Sequence, residues 1–157
     1  MGNSLRAMFI LATYNSGVYQ LLLILHILSV VIAFAPAVVH PLVGGRFKGD
    51  DVPARRFAEA AVLNSRAVHL PALAAVGVLG FALVGVSDKA FRFSDTWVAI
   101  SIVLWLAIAG IISAVVVPAE RAFAAGDTEA EKKVQAGGMI ATLLFVIVVC
   151  MMVVKPG

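Results

Sequence analysis

Hydrophobic positions in this chain come in long unbroken runs. They show neither the alternation of a strand nor the one-sided stripe of a helix on a soluble protein. Four runs reach the length a bilayer demands, about 18 apolar residues or more. They cover 18–43, 67–86, 96–117 and 138–154, and none holds an Asp, Glu, Lys or Arg. At about 1.5 Å per residue each crosses a hydrocarbon core of roughly 30 Å. The polar stretches between them are short, which forces neighbouring spans antiparallel. The pattern therefore predicts an all-α integral membrane protein, a four-helix transmembrane up-down-up-down bundle forming one domain over 1–157. A fifth apolar stretch, Leu5 to Tyr14, is too short to span and is separated from the first run by Asn15-Ser16-Gly17. It reads as a short N-terminal interfacial helix. A signal peptide fits it poorly, because Arg6 is its lone cation and no small-x-small cleavage site follows.

Helix punctuation refines these boundaries. Asp51 before Val52-Pro53 reads as an N-cap, and Asp51, Arg55 and Glu59 make a charged row at i,i+4 spacing. Together they predict that the second helix begins well before its apolar part. Thr128-x-x-Glu131 has the form of a capping box, with Glu129 and Lys133 paired one turn apart. The fourth helix is expected to start there and to bend at Gly137-Gly138.

Composition agrees with the pattern: 62% of the 157 residues are hydrophobic and 13% charged, with a mean hydropathy of +1.02. Soluble domains average roughly 25% charged residues, so water is excluded as the solvent for most of this surface. The net charge is +3, but no basic stripe interleaved with aromatics exists, so nucleic acid is not the expected partner. Position carries the meaning instead. Arg46, Lys48, Arg55, Arg56, Arg66, Arg121, Lys132 and Lys133 fall on one side of the spans, against Arg6, Lys89, Arg92 and Lys155 on the other. The positive-inside rule then puts the first and third loops in the cytoplasm of a bacterium and both termini outside its inner membrane. Tyr14, Tyr19 and Trp97 gather at the outer interface as an aromatic belt would. The lone cysteine, Cys150, rules out an intramolecular disulfide and acts as a small hydrophobe.

Chemistry-bearing residues are few. On the first span, His26, Ser29, Ala33, Ala37 and His40 follow steps of three and four, so they share one helix face. A polar-and-small stripe on an apolar helix marks the side turned to the bundle. On the second span His69 shares a face with Ala72, Val76 and Gly80, with Gly77 beside it. His40 and His69 each lie near the inner end of adjacent spans, at similar depth. Two readings follow: a heme or transition-metal site with His40 and His69 as ligands, or separate interhelical hydrogen bonds. His26, roughly 21 Å from His40 along the helix, cannot join them and is expected to bond a neighbouring helix or subunit. Trp105 is read as a packing anchor. No catalytic constellation, P-loop or dinucleotide fingerprint is present. With no carboxylate inside the spans, a proton-coupled pump or a cation channel built by this chain alone is not expected.

The stretch Leu25-His26-Ile27-Leu28-Ser29, with Phe34-Ala35-Pro36 and His40-Pro41-Leu42, resembles the bacterial family of predicted integral membrane proteins called domain of unknown function 2269. The first-span histidine is also shared with copper-resistance D-like proteins and heme-binding four-helix membrane protoporphyrinogen oxidases. Those follow it with a Trp-x-x-Gly element where this chain has Ala33-Phe34-Ala35-Pro36. The resemblance implies a small bundle with a conspicuous first-span histidine and no agreed activity. The functional expectation is a non-enzymatic accessory or scaffold component of a membrane complex, in contact with lipid and with other subunits or copies of itself. The alternative is a b-type heme or metal-binding protein using His40 and His69 for electron transfer or cofactor handling.

Overall fold

The computed structural model describes residues 16–44 and 51–156. The expected interfacial helix at Leu5–Tyr14 and the first-loop cations Arg46 and Lys48 lie outside the described residues. Among the described residues the chain is helical, without strands. Helix α1 is Gly17–Gly44. Helix α2 runs as Asp51–Asn64, a π-helical turn Ser65–His69, and Leu70–Gly85. Helix α3 repeats that plan as Thr96–Ile111, a π-helical turn Ile112–Val116, and Val117–Ala124. Helix α4 is Ala130–Val154. All four contain a stretch long and apolar enough to cross a membrane.

Each π-helical turn ends two residues before a proline, Pro71 in α2 and Pro118 in α3. Proline removes a backbone donor and its ring crowds the preceding turn. Widening that turn by one residue relieves the crowding while the helix continues: the Leu70 N–H reaches the Ser65 carbonyl and the Val117 N–H the Ile112 carbonyl. The consequence is that α3 does not stop at Val117. It carries on to Ala124 and takes Glu120 inside the bundle.

Helix α1 packs along Leu70–Gly85 of α2, α3 packs along α4, and Asp51–Asn64 of α2 lies on Val117–Ala124 of α3. Leu73, Val76, Ile108, Ile112, Val117 and Val148 form the buried centre. Phe34 of α1 stacks on Phe145 of α4 with ring centroids 3.7 Å apart. Lipid tails are as apolar as these side chains, so close fit rather than escape from water holds the helices together. Two glycines make that fit. A Cβ on Gly77 would overlap the Trp105 ring, and one on Gly137 would stand 2.8 Å from a Val116 methyl. Helix α4 runs through Gly137 and Gly138 without interruption.

The connections show where local signals were misread. At the α3–α4 turn, Gly126 has φ 104°, and the N–H groups of Gly126 and Asp127 bond the carbonyls of Phe123 and Ala122, a Schellman-type stop. Asp127, not Thr128, then supplies the side-chain cap, its Oδ1 accepting from the Glu129 N–H at 3.1 Å. Lys132 rather than Lys133 pairs with Glu129, at 2.9 Å. In the α2–α3 loop the fully buried Ser87 donates its hydroxyl to the Val84 carbonyl at 2.7 Å and accepts from the Phe91 N–H. This pins a turn in which Asp88 and Lys89 take left-handed backbone.

Candidate functional site

The polar side chains of the bundle gather at two levels, called inner for the one toward the α1–α2 and α3–α4 connections and outer for the one toward the C-terminus and the α2–α3 loop. At the inner level, Glu120 of α3 is 3% exposed, although the apolar run on α3 stops at Val117. One carboxylate oxygen, Oε2, accepts the Ser65 hydroxyl of α2 at 2.8 Å. The other, Oε1, stands 3.7 Å from Nδ1 of His40 on α1, an ion-pair distance rather than a direct hydrogen bond. Edge-on contact with the Phe57 ring steadies the His40 imidazole. His69 is buried near His40, and its Nε2 has no hydrogen-bond partner among the described residues.

Both π-helical turns serve this cluster. Ser65 and His69 are the first and last residues of the turn in α2, where a widened pitch puts both on the buried side. The turn in α3 lies one helical turn before Glu120. Such turns occur frequently at functional sites. The expected neighbourhood of His40 and His69 thus gains a carboxylate and a hydroxyl. This overturns the premise that the spans hold no carboxylate. Glu120 was legible in one respect: Ile108, Ile112, Val116 and Glu120 step by four along the buried face of α3. Pro118 and the adjacent Arg121 disguised it as a loop residue.

Neutrality decides what the cluster can do. No Lys or Arg pairs with Glu120 among the described residues. A bare carboxylate in a low-dielectric interior costs several kcal/mol. Among the described residues the balancing positive charge comes from a proton on Glu120, a proton on His40, or a cation held between the imidazoles. Among the described residues no three His, Cys, Asp or Glu side chains are grouped so that they could hold a metal ion. A metal here would rest on His40 and His69, with Glu120 orienting His40 from behind, as carboxylates commonly do for metal-bound imidazoles.

At the outer level, α1 to α4 line a half-open cavity of about 310 Å³. His26 lies on its wall over Gly80, whose missing Cβ leaves room for the ring. The imidazole packs against α2, with Cε1 the nearest atom to the position a Gly80 Cβ would take, at 3.4 Å. Trp105 also turns inward, as the packing reading had it, and its indole N–H donates to the Leu73 carbonyl at 3.0 Å. Tyr19 departs from expectation: it is 4% exposed and lines the cavity instead of facing the lipid interface. Ser101, which the sequence did not single out, is 6% exposed beside the same cavity. Cys150 is exposed, as a lipid-facing small hydrophobe would be.

Along each helix the two levels are separated by apolar residues: Ala33 on α1, Leu73 on α2, and Ile108 and Ile112 on α3. Neither a curated protein nor a solved structure matches the chain. A family model does match, over residues 20–156, a range that contains every side chain of the inner cluster and all but Tyr19 of the outer one. On that match the chain belongs to the DUF2269 family of predicted integral membrane proteins.

Proposed function

We propose that this protein is a non-enzymatic component of the bacterial inner membrane that stores one proton at Glu120, His40, Ser65 and His69, as an accessory to a larger membrane complex. The observation that carries this reading is Glu120 itself, a carboxylate buried between helices with a hydroxyl and an imidazole as neighbours and, among the described residues, no Lys or Arg paired with it. Ionisable groups inside membrane bundles mark ion and proton routes. The proton passes between Glu120 Oε1 and His40 Nδ1 by a small approach of the two groups, while the Ser65 hydroxyl holds the other oxygen in place. Only His40 of the cluster has appreciable exposure, 26% of its side chain, so it is the entry point.

The accessory role follows from the apolar barrier above the cluster. Leu73, Ile108 and Ile112 stand above the cluster, and a proton taken up on the inner side returns there or passes to a partner. Arg55, Arg56, Arg66, Arg121, Lys132 and Lys133 are exposed on the helix ends nearest the cluster. That supports a cytoplasmic inner end and termini on the far side. Proton uptake per chain, followed by a pH-indicator dye in the purified protein, tests the reading. A step of one proton that disappears in Glu120→Gln supports it, and an unchanged step removes Glu120 from the site.

A second reading has its own observation. His69 Nε2 is buried without a partner close to His40, whose Nδ1 faces a carboxylate. That arrangement suits two imidazoles sharing a transition metal or the iron of a b-type heme. Absorption spectra of the oxidised and dithionite-reduced protein, with metal analysis, separate the readings. A Soret band that sharpens on reduction and is lost in His40→Ala and His69→Ala supports heme. A colourless, metal-free protein that still takes up a proton supports the store.

A further inference from the structure

We propose that the outer-half cavity holds one acyl chain of an anionic phospholipid, with the lipid phosphate beside Lys155. The closely packed helix pairs of the bundle are α1 with α2 and α3 with α4. They are bridged at mid-bundle by the Phe34–Phe145 stack and by Trp105 against Gly77, and the cavity lies between the pairs from those contacts outward. Close-packed interiors hold few voids larger than a water molecule. This one is about 310 Å³ and half-open, so the surrounding hydrocarbon has a way in. Its walls are apolar and aromatic, and lipid tails are as apolar as such side chains. Shape selects a tail over a compact ligand. The lining runs from Ile108 to Trp97 on α3 and from Phe145 to Lys155 on α4, roughly 15 Å at helical rise. That is the depth of one leaflet's tails, half of a hydrocarbon core of roughly 30 Å.

The rim supplies a charge. Lys155 Nζ lies 4.6 Å from the centroid of the Phe91 ring and 5.7 Å from that of Trp97, and these two rings meet edge-on with centroids 5.4 Å apart. Cation–π attraction holds the ammonium at the outer end of the cavity without neutralising it. An ammonium has three donors, so a phosphate oxygen adds to these contacts and does not replace them. The neighbouring α2–α3 loop is balanced, with Asp88 and Asp95 against Lys89 and Arg92. Among the described residues Lys155 therefore sets the sign of the rim, and it favours an anionic headgroup over a zwitterionic one. The second tail of the lipid stays in the bilayer. Glu120 and its partners take no part in this site, so it stands or falls independently of the proton store.

The probe is phosphatidylglycerol with brominated tails, added to the full chain in phosphatidylcholine bilayers. Bromine quenches indole fluorescence, and Trp97 and Trp105 both line the cavity. Quenching is expected to saturate, with a midpoint at about fivefold lower mole fraction than for brominated phosphatidylcholine. Lys155→Gln should erase that preference while either lipid still quenches. Val84→Phe, which fills part of the cavity from α2, should remove the saturable phase, whereas a lipid held by Lys155 on the outside of the bundle would not feel it. Should Val84→Phe not fold, the wild type and Lys155→Gln still decide. Quenching that rises in proportion to mole fraction without saturating, equal midpoints for the two lipids, a preference that survives Lys155→Gln, or a folded Val84→Phe that binds like the wild type would each overturn the assignment.

Discussion

The two halves of the bundle use similar material to different ends. The outer half lines a half-open cavity, and two polar atoms of residues on its wall, His26 Nδ1 and Ser101 Oγ, are buried without a hydrogen-bond partner among the described residues. In the inner half the polar atoms converge on one another, with Glu120 bonded to Ser65 and approached by His40. What separates them is helix geometry. In the outer half the helices are regular, and Gly77 and Gly80 admit an indole and an imidazole from neighbouring helices. In the inner half both α2 and α3 widen into π-helical turns before a proline, and the change of pitch brings Ser65, His69 and Glu120 to the interior. A histidine on an apolar helix thus becomes a cavity wall or a charge partner according to what the neighbouring backbone does.

That contrast can be broken most forcefully at Gly77. Gly77→Leu drives a side chain into the Trp105 ring, and overpacking of this kind costs about 3 kcal/mol. Unfolding of the purified protein in detergent should show that loss, or no folded protein should be recovered, while a stable Gly77→Leu variant would mean that α2 and α3 do not meet there. Next in size is Glu120→Ala, which leaves the Ser65 hydroxyl and the His40 imidazole buried without their partner and should cost about 2 kcal/mol in the same assay. The double variant Ser65→Ala with Glu120→Leu sharpens the point. Replacing a buried polar group and its partner together by apolar side chains is often neutral or stabilising, so this variant should be at least as stable as the wild type while taking up no proton. If it is markedly less stable, the cluster is structural.

Smaller effects belong to single contacts. Trp105→Phe keeps the ring over Gly77 but removes the bond to the Leu73 carbonyl, for an expected loss of about 1 kcal/mol. Lys132→Ala removes an ion pair whose side chains are about three-quarters exposed and should change stability by no more than a few tenths of a kcal/mol. A large effect there would mean that the α3–α4 turn is held by that pair rather than by the backbone bonds at Gly126 and Asp127.

Much of this architecture was legible in the order of residues. Four apolar runs announced four spanning helices, because hydrocarbon tolerates little else. The three- and four-residue steps through His26, Ser29, Ala33, Ala37 and His40 announced the face of α1 that turns inward: His26 and Ala33 are buried on it, and Ser29, Ala37 and His40 are partly buried. What could not be read depended on partners distant in sequence. Glu120 follows Pro118 and precedes Arg121, a context that resembles the end of a span, and only the π-helical turn lets the helix continue through it. Ser65 looked like an ordinary helix residue until a carboxylate 55 positions away gave it a partner. The fit of Trp105 to Gly77 needs two helices to cross at one level, and no periodicity within either helix reports that. At the start of α4 the sequence pointed to Thr128 as the cap, and after the backbone turn at Gly126 it is Asp127 that accepts the Glu129 N–H.

The proton store is tested most directly by infrared difference spectroscopy of the membrane-embedded protein, comparing wild type with Glu120→Gln as pH is stepped. The account predicts a carboxylic-acid carbonyl band that appears with uptake of one proton, shifts in heavy water, and is missing from Glu120→Gln, with His40→Ala altering its position. The same band in Glu120→Gln, or no band in the wild type at any pH at which the protein stays folded and takes up a proton, would contradict it.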